Sequence, residues 1–132
     1  MNLDSREILI VDDETALLRL MNEYLQRLGY TATPAHTMAQ ARQALEGRPD
    51  GYAVVVLDAG MAETGLDDLV IELLAAYPRL RVVVSSGYPV DMSSLQRAAP
   101  ERVDFLHKPF SSEMLVAVLR RMLGPQEEAE EV

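Results

Sequence analysis

The sequence predicts an α/β protein built on one parallel five-stranded sheet with helices on both faces. Short β-branched apolar runs alternate with longer segments of helical period along the chain. This alternation is typical of parallel strands joined by crossover helices. The 132 residues are enough for one domain and leave little room for a second. No internal repeat or interdomain linker interrupts the pattern.

The first five predicted elements alternate between strand and helix. Continuous apolar runs predict the first and third strands, which should be buried on both faces. Gly29 is expected to end the first helix, and Pro34 to close the weak second strand. Thr37 is expected to cap a second helix that runs through Leu45, with Gly47 just beyond its end. These elements are a strand at 8–11, a helix at 14–28, a strand at 31–33, a helix at 38–45 and a strand at 53–57.

The last five elements continue the same alternation. A valine-rich run predicts the third strong strand, and the final helix carries its apolar residues on one side. Breaking residues stand after the helices and the last strand, namely Pro78, Pro100, Pro109 and Gly124. The elements are helices at 66–76, 93–98 and 112–123 (or from 111), and strands at 81–85 and 103–106.

Composition narrows the class of protein. The chain has no cysteine, which excludes disulfides and thiolate metal sites. No apolar run reaches the roughly 18 residues of a membrane span, and the polar start does not resemble a secretory signal. We therefore expect a cytoplasmic protein without membrane association. The net charge of −9 argues against nucleic-acid binding through this chain.

Part of the negative charge lies in a short C-terminal segment. Four glutamates fall within residues 125–132, namely Glu127, Glu128, Glu130 and Glu131. Such a charge run is usually a solvated, disordered end. The expected organisation is thus one domain at 1–124 followed by an acidic tail at 125–132.

The chemistry-bearing residues follow the predicted strands. In an open parallel sheet, ligands bind outside the carboxyl ends of the strands, so residues that follow different strands should meet at one edge. Strands one, three, four and five are followed by Asp12-Asp13-Glu14, by Asp58, by Ser85-Ser86-Gly87 and by His107-Lys108-Pro109, respectively.

This combination of residues suits phosphoryl transfer to an aspartate. Three neighbouring carboxylates cannot all ionise cheaply unless a cation balances them. Mg²⁺ prefers such oxygen ligands, and Lys108 would add a positive charge from the opposite side. Asp58 would attack phosphorus while Mg²⁺ and Lys108 neutralise the transferring oxygens. Each piece alone is more often a cap or a turn; the coincidence of four pieces in order carries the prediction.

Four segments resemble the signature segments of response-regulator receiver domains. They are ILIVDDE at 8–14, VVVLD at 54–58, VVVSSGYP at 82–89 and FLHKPF at 105–110, within a resemblance from residue 7 to residue 123. The resemblance implies a flavodoxin-like fold of strand order 2-1-3-4-5. It also implies that Mg²⁺ is bound by Asp12, Asp13 and Asp58. The phosphoryl group would reach Asp58 from a sensor histidine kinase or a histidine phosphotransfer protein.

The resemblance implies further roles in the second half of the chain. Ser86 takes the family's Ser/Thr position, Lys108 is the phosphate-reading lysine on a cis bond to Pro109, and Phe105 is the aromatic switch. For Phe105, plain core packing is an equally good interpretation. Ser85 is expected to be a structural neighbour. His107 is expected at the surface, on the strand face opposite to the key residues.

Phosphorylation is expected to change a surface made of the fourth helix, fifth strand and fifth helix. Through this surface two copies could form a homodimer. The candidate contact residues are Gln96, Arg97, Arg102 and Arg120.

The chain departs from the family after Asp58. The segment reads DAGMAETG, with Ala62 where a receiver usually has proline, and the loop is one residue short. Gly60 would still lend its backbone carbonyl to the metal, since that role needs no side chain. The departure puts the rigidity of the loop and the lifetime of the phosphoryl group in question.

Two other functions remain open at this point. An aspartate-nucleophile phosphatase would usually carry D-x-D after the first strand, where this chain has DDE. A pseudo-receiver would keep the fold as an interaction module without the chemistry. A receiver, by contrast, is no enzyme beyond its own Mg²⁺-dependent phosphorylation and dephosphorylation. The sequence names neither the kinase nor the output.

Overall fold

A computed structural model describes residues 7–124 and contains one five-stranded parallel sheet of order β2-β1-β3-β4-β5. Every neighbouring pair of strands is parallel. The fold class and strand order expected from the sequence are confirmed. The strands are β1 (Glu7–Val11), β2 (Thr31–Ala35), β3 (Val54–Asp58), β4 (Arg81–Ser86) and β5 (Val103–His107).

Five helices connect and follow the strands and cover both faces of the sheet. They are α1 (Thr15–Arg27), α2 (Met38–Gly47), α3 (Leu66–Ala76), α4 (Ser93–Ala98) and α5 (Ser112–Leu123). Thr37 caps α2 as expected, because its hydroxyl accepts a hydrogen bond from the backbone N–H of Gln40 at 3.0 Å. None of these helices is long and apolar enough to cross a membrane.

The core consists of two layers because successive strand residues point to opposite faces. Leu9 and Val11 of β1 belong to a cluster that α2, α3 and α4 cover. Ile8 and Ile10 point the other way, into a cluster that α1 and α5 cover. All of β1 is buried, as its continuous apolar run predicts for a central parallel strand.

The predicted ends of β2 and α2 were wrong by two residues each, and several other boundaries differ from the prediction by one residue. β2 does not end before Pro34 but continues through it to Ala35. β2 is an edge strand, where a proline that faces outward removes no hydrogen bond from the sheet. Gly47 lies inside the last turn of α2 rather than beyond it. The acidic tail predicted at 125–132 lies outside the described residues.

Candidate functional site

Three aspartates meet at the carboxyl edge of the sheet. Asp12 directly follows β1 and Asp58 ends β3, and these two strands are neighbours in register. Ligand oxygens of Asp12, Asp13 and Asp58 all lie within 4.8 Å of one another. Asp12 is buried, Asp58 is half-buried and Asp13 is exposed. The expected acidic cluster is therefore assembled in the structure.

Lys108 joins this cluster from the far side. Its Nζ lies 2.8 Å from Oδ2 of Asp12 and 3.3 Å from Oδ1 of Asp58. The backbone N–H of Lys108 donates to the carbonyl of Ser86 at 2.8 Å, which holds the chain after β5 against the end of β4. The peptide bond to Pro109 is cis, as the resemblance implied.

Glu14 belongs to this site, although the sequence reasoning assigned it no role. Its backbone N–H donates to Oδ1 of Asp12 at 2.9 Å, so this contact fixes the Asp12 carboxylate while its second oxygen faces Lys108. The Glu14 carboxylate stands 3.9 Å from the Lys108 Nζ at the solvent side. The run DDE was the signal that could have identified it.

The charges of the cluster act on one another. Burial raises the pKa of the Asp58 carboxyl; Lys108 opposes this shift, and the negative charges of Asp12 and Asp13 add to it. Burial alone would lower the pKa of Lys108, but hydrogen bonds and attraction from Asp12 and Asp58 outweigh burial and raise it. Lys108 is therefore a firmly protonated cation, whereas the carboxylates hold more negative charge than one lysine balances.

The donor set fits a hard divalent cation. All candidate ligand atoms are oxygens, which suits Mg²⁺ or Ca²⁺ and does not suit metals that prefer sulfur. Gly60 lies in a single 3-10 turn, Ala59–Met61, that follows β3. A Cβ at Gly60 would stand 3.3 Å from Oδ2 of Asp58. The chain thus passes close to the Asp58 carboxylate here, where the sequence predicts a carbonyl ligand.

The two serines of β4 differ in their surroundings. Ser86 is 6% exposed, and its hydroxyl oxygen accepts from the backbone N–H of Tyr88 at 3.0 Å. In this arrangement the hydroxyl oxygen stabilises the turn that follows β4. Ser85 is 2% exposed and stands opposite Asp58 in the strand register. Its position agrees with the structural role expected for it.

Phe105 is half-buried and packs against the core cluster under α2, α3 and α4. Its ring meets the ring of His107 edge-on, with centroids 6.1 Å apart. The prediction that His107 points to the opposite strand face was therefore wrong, because residues two apart in a strand share a face. His107 is exposed, as expected.

One predicted contact residue of the dimer surface, Arg102, makes hydrogen bonds within its own chain. The guanidinium of Arg102 donates to three carbonyls of its own chain, those of Leu80, Leu74 and Tyr77, at 3.0, 3.1 and 2.8 Å. The guanidinium of Arg102 thus holds the start of β5 against the end of α3 and the loop that follows α3. Gln96, Arg97 and Arg120 are exposed.

Comparison with known proteins agrees with this geometry. The family model of the response regulator receiver domain matches residues 8–120. The sensor kinase CckA of Brucella abortus is 31% identical over 123 residues, which are 93% of this chain and 13% of that protein. A putative NtrX-like response regulator of Rickettsia felis is 28% identical over 87% of this chain and 24% of its own length.

The fold itself also occurs in a solved structure. A CheY-like receiver domain protein from Methanospirillum hungatei superimposes with a TM-score of 0.77 at 22% identity, over 94% of this chain and 98% of that one. This chain spans only a small part of the two curated relatives, so their whole-protein activities are not carried over to it. The family match and the assembled acidic edge together show that the chain belongs to the response regulator receiver domains of two-component signalling.

Proposed function

We propose that Asp58 is the phosphoacceptor of this receiver domain. The observation that carries the proposal is the placement of the Asp58 carboxylate at the end of β3, with ligand oxygens of Asp12 and Asp13 within 4.8 Å and the Lys108 Nζ at 3.3 Å. Asp12 is buried and already bonded to Lys108 and to the Glu14 N–H, and Asp13 is exposed. The Lys108 Nζ lies farther from the Asp58 carboxylate, at 3.3 Å, than from the Asp12 carboxylate, at 2.8 Å.

Transfer would use the chain's own groups in defined roles. An oxygen of Asp58 bonds to phosphorus as the N–P bond of a phosphohistidine breaks, and the histidine nitrogen keeps the bonding pair. Lys108 neutralises charge on the transferred oxygens. Ser86 is the last residue of β4, at the same edge of the sheet as Asp58, and its hydroxyl would donate to one of these oxygens. A bound Mg²⁺ would supply positive charge to the same oxygens.

The residues that would hold Mg²⁺ are Asp12, Asp13 and Asp58, with the backbone carbonyl of Gly60 as a further ligand. The clustered oxygens support this assignment. Asp13 is the most available ligand because it is exposed and makes no hydrogen bond to Lys108. The domain would catalyse only its own phosphorylation and dephosphorylation.

A sensor histidine kinase or a histidine phosphotransfer protein would be the donor, since receiver domains of response regulators accept phosphoryl groups from histidine kinases.

We also propose homodimer formation through α4, β5 and α5, now without Arg102. The exposure of Gln96, Arg97 and Arg120 supports a contact there. The match to the receiver-domain family gives the phosphatase no support, and the assembled acidic edge with Lys108 counts against a pseudo-receiver. The cytoplasmic location, the domain limits at 1–124 and the lack of nucleic-acid binding remain proposals.

Acetyl phosphate with Mg²⁺ tests the phosphoacceptor directly. We expect intact mass spectrometry to show one added phosphoryl group on the wild-type chain and none on the Asp58→Asn variant. Asp68→Asn is the matched control, because Asp68 is an exposed aspartate in the first turn of α3, outside the cluster. Equal labelling of Asp58→Asn and Asp68→Asn would refute the assignment.

A further inference from the structure

The opposite edge of the sheet carries a cavity that signalling through Asp58 does not use. It has a volume of about 400 Å³. It is formed where β3, β4 and β5 begin and where α5 ends, so it lies across the whole strand length from Asp58. Its wall is made of Asp50, Tyr52, Ala53, Pro78, Arg79, Arg81, Arg102 and Leu123.

Three arginines make this cavity positive within an acidic protein. Arg79, Arg81 and Arg102 face one carboxylate in the wall, that of Asp50, while the chain as a whole carries −9. Within residues 7–124, no carboxylate lies within ion-pair distance of any of the three arginines. The other arginine at this edge, Arg48, already pairs with Glu7 at 2.6 Å.

The positive charges are crowded rather than spread over a solvated face. Nε of Arg81 is buried, and no acceptor in the described part of the chain reaches it. Burial lowers the pKa of the Arg102 guanidinium, and the neighbouring charge of Arg81 lowers it further. Crowded cations with an unused buried donor are stabilised by an anion that brings oxygen acceptors.

The sequence has several carboxylates shortly after the residue that ends α5. Leu123, the last residue of α5, lines the cavity, and Gly124 follows it with φ of +82°. Glu127, Glu128, Glu130 and Glu131 come within the next seven residues. An extended residue spans about 3.3 to 3.6 Å, so three residues beyond Gly124 reach roughly 10 Å. A chain that continues from Gly124 is therefore long enough to bring the first glutamates to the arginines.

We propose that this cavity is a carboxylate-binding site and that its occupant is the acidic segment 126–131 of the same chain. Glutamate side chains of this segment accept hydrogen bonds from Arg81 and Arg79. Arg102 adds positive charge but keeps its bonds to the end of α3. The contact joins the end of α5 to the amino ends of β4 and β5. It is independent of the phosphoacceptor assignment.

The test uses the full 132-residue chain, labelled with ¹⁵N. The first variant replaces Glu127, Glu128, Glu130 and Glu131 by glutamine. The matched control replaces four exposed glutamates that do not line the cavity, Glu23, Glu46, Glu63 and Glu113, by glutamine. Both variants change the net charge equally, from −9 by four to −5. We expect the Nε–Hε signal of Arg81 and the amide signal of Leu123 to shift only in the first variant. Salt should weaken the effect in the wild type by screening.

The reciprocal experiment changes the cavity. Arg79→Gln should shift the amide signals of residues 126–131, whereas Arg97→Gln on α4, which does not line the cavity, should leave them in place. Inorganic phosphate should bind the tail variant more tightly than the wild type, because it competes with the segment. The proposal is overturned by an Arg81 signal that the tail variant leaves unchanged. Equal phosphate binding by the wild type and the tail variant would assign the cavity to a free anion. Shifts that disappear on dilution would assign it to the tail of a second copy. Either result also overturns the proposal.

Discussion

At the scale of single residues, the site is governed by an excess of buried negative charge around one lysine. Asp12 and Lys108 form a close pair at 2.8 Å, and Asp12 is held from its other side by the Glu14 N–H. Asp58 is the third charge and has the longer contact to Lys108. Of the two aspartates that contact Lys108, Asp58 therefore has the weaker contact, and a metal ion would add positive charge beside it.

Asp58→Asn should raise stability when Mg²⁺ is removed by a chelator. The folded-state pKa of Asp58 lies above its ordinary value of 3.8, so the folded state binds the proton more tightly than the unfolded state. The stability that this group contributes is complete below the unfolded pKa and is lost as the pH rises through the folded pKa. The neutral amide avoids this loss, so the thermal midpoint at pH 7 should rise by a few degrees.

The same pair of proteins supplies the control for this prediction. The difference between wild type and Asp58→Asn should shrink as the pH falls toward the ordinary carboxyl pKa, which thermal unfolding followed by circular dichroism can measure. A lower midpoint for Asp58→Asn at pH 7 would mean that the bond to Lys108 outweighs burial.

Asp13→Ala should weaken Mg²⁺ binding without harming the fold. Asp13 is exposed, whereas removal of the buried Asp12 would also leave Lys108 without its closest partner. Loss of a group that merely orients a ligand costs about 10- to 100-fold in metal affinity, and loss of a ligand should cost at least as much. The chain has no tryptophan, so amide NMR titration is the suitable measurement. Unchanged Mg²⁺ affinity in Asp13→Ala, with Glu63→Ala as the control, would place the metal elsewhere.

At the scale of elements, β4 and β5 connect the site to the proposed dimer surface of α4, β5 and α5. Ser86 is the last residue of β4. Phe105 lies in the adjacent strand β5, where it pairs with Val84, two residues before Ser86. The Ser86 hydroxyl now accepts from Tyr88, and the Phe105 ring stands against His107. Both side chains therefore have local partners, and movement of either side chain toward a new position would give up such a contact.

Beryllofluoride, a phosphoryl mimic, should change this arrangement. We expect the Ser86 hydroxyl to turn from Tyr88 toward the mimic and Phe105 to move into the space it leaves, because packed interiors change between discrete states. Amide shifts should extend from about residue 86 to residue 110 and into α5, and sedimentation should show more dimer. Ser86→Ala should reduce these distant shifts, whereas Ser94→Ala on the exposed side of α4 should not.

The opposite outcome is that the altered loop after Asp58 uncouples the phosphorylation site from this surface. If shifts stay within the loops around Asp13, Asp58 and Lys108, the α4-β5-α5 surface does not respond, and the domain passes its phosphoryl group on without a switch.

At the scale of the whole molecule, the sequence was informative wherever a local rule decides the structure. The central strands β1 and β3 were predictable because both of their faces are buried, which leaves a continuous apolar run. The acidic edge followed, since parallel strands bring their carboxyl ends together. The direction of the Arg102 side chain was not predictable, because three carbonyls from distant parts of the chain determine it. The orientation of Ser86 toward Tyr88 depends likewise on the tertiary position of its turn.

The proline in β2 has a consequence for association between molecules. The carbonyl of Ala35 accepts from the N–H of Asp12, so the backbone groups of Ala35 face inward. Those of the preceding residue, Pro34, face outward, because strand residues alternate. The open side of β2 therefore lacks one N–H donor, which makes it a poor template for an incoming strand from another chain. We therefore expect Pro34 to reduce aggregation through this edge.

Pro34→Thr restores that donor and should increase strand-to-strand aggregation at high concentration. The position is exposed, so the free energy of unfolding should change by no more than about 0.5 kcal/mol. Light scattering and thioflavin binding during prolonged incubation measure the effect, with Pro49→Thr as a control at an exposed proline outside the sheet. A Pro34→Thr chain that stays monomeric as long as the Pro49→Thr chain would show that other features protect this edge.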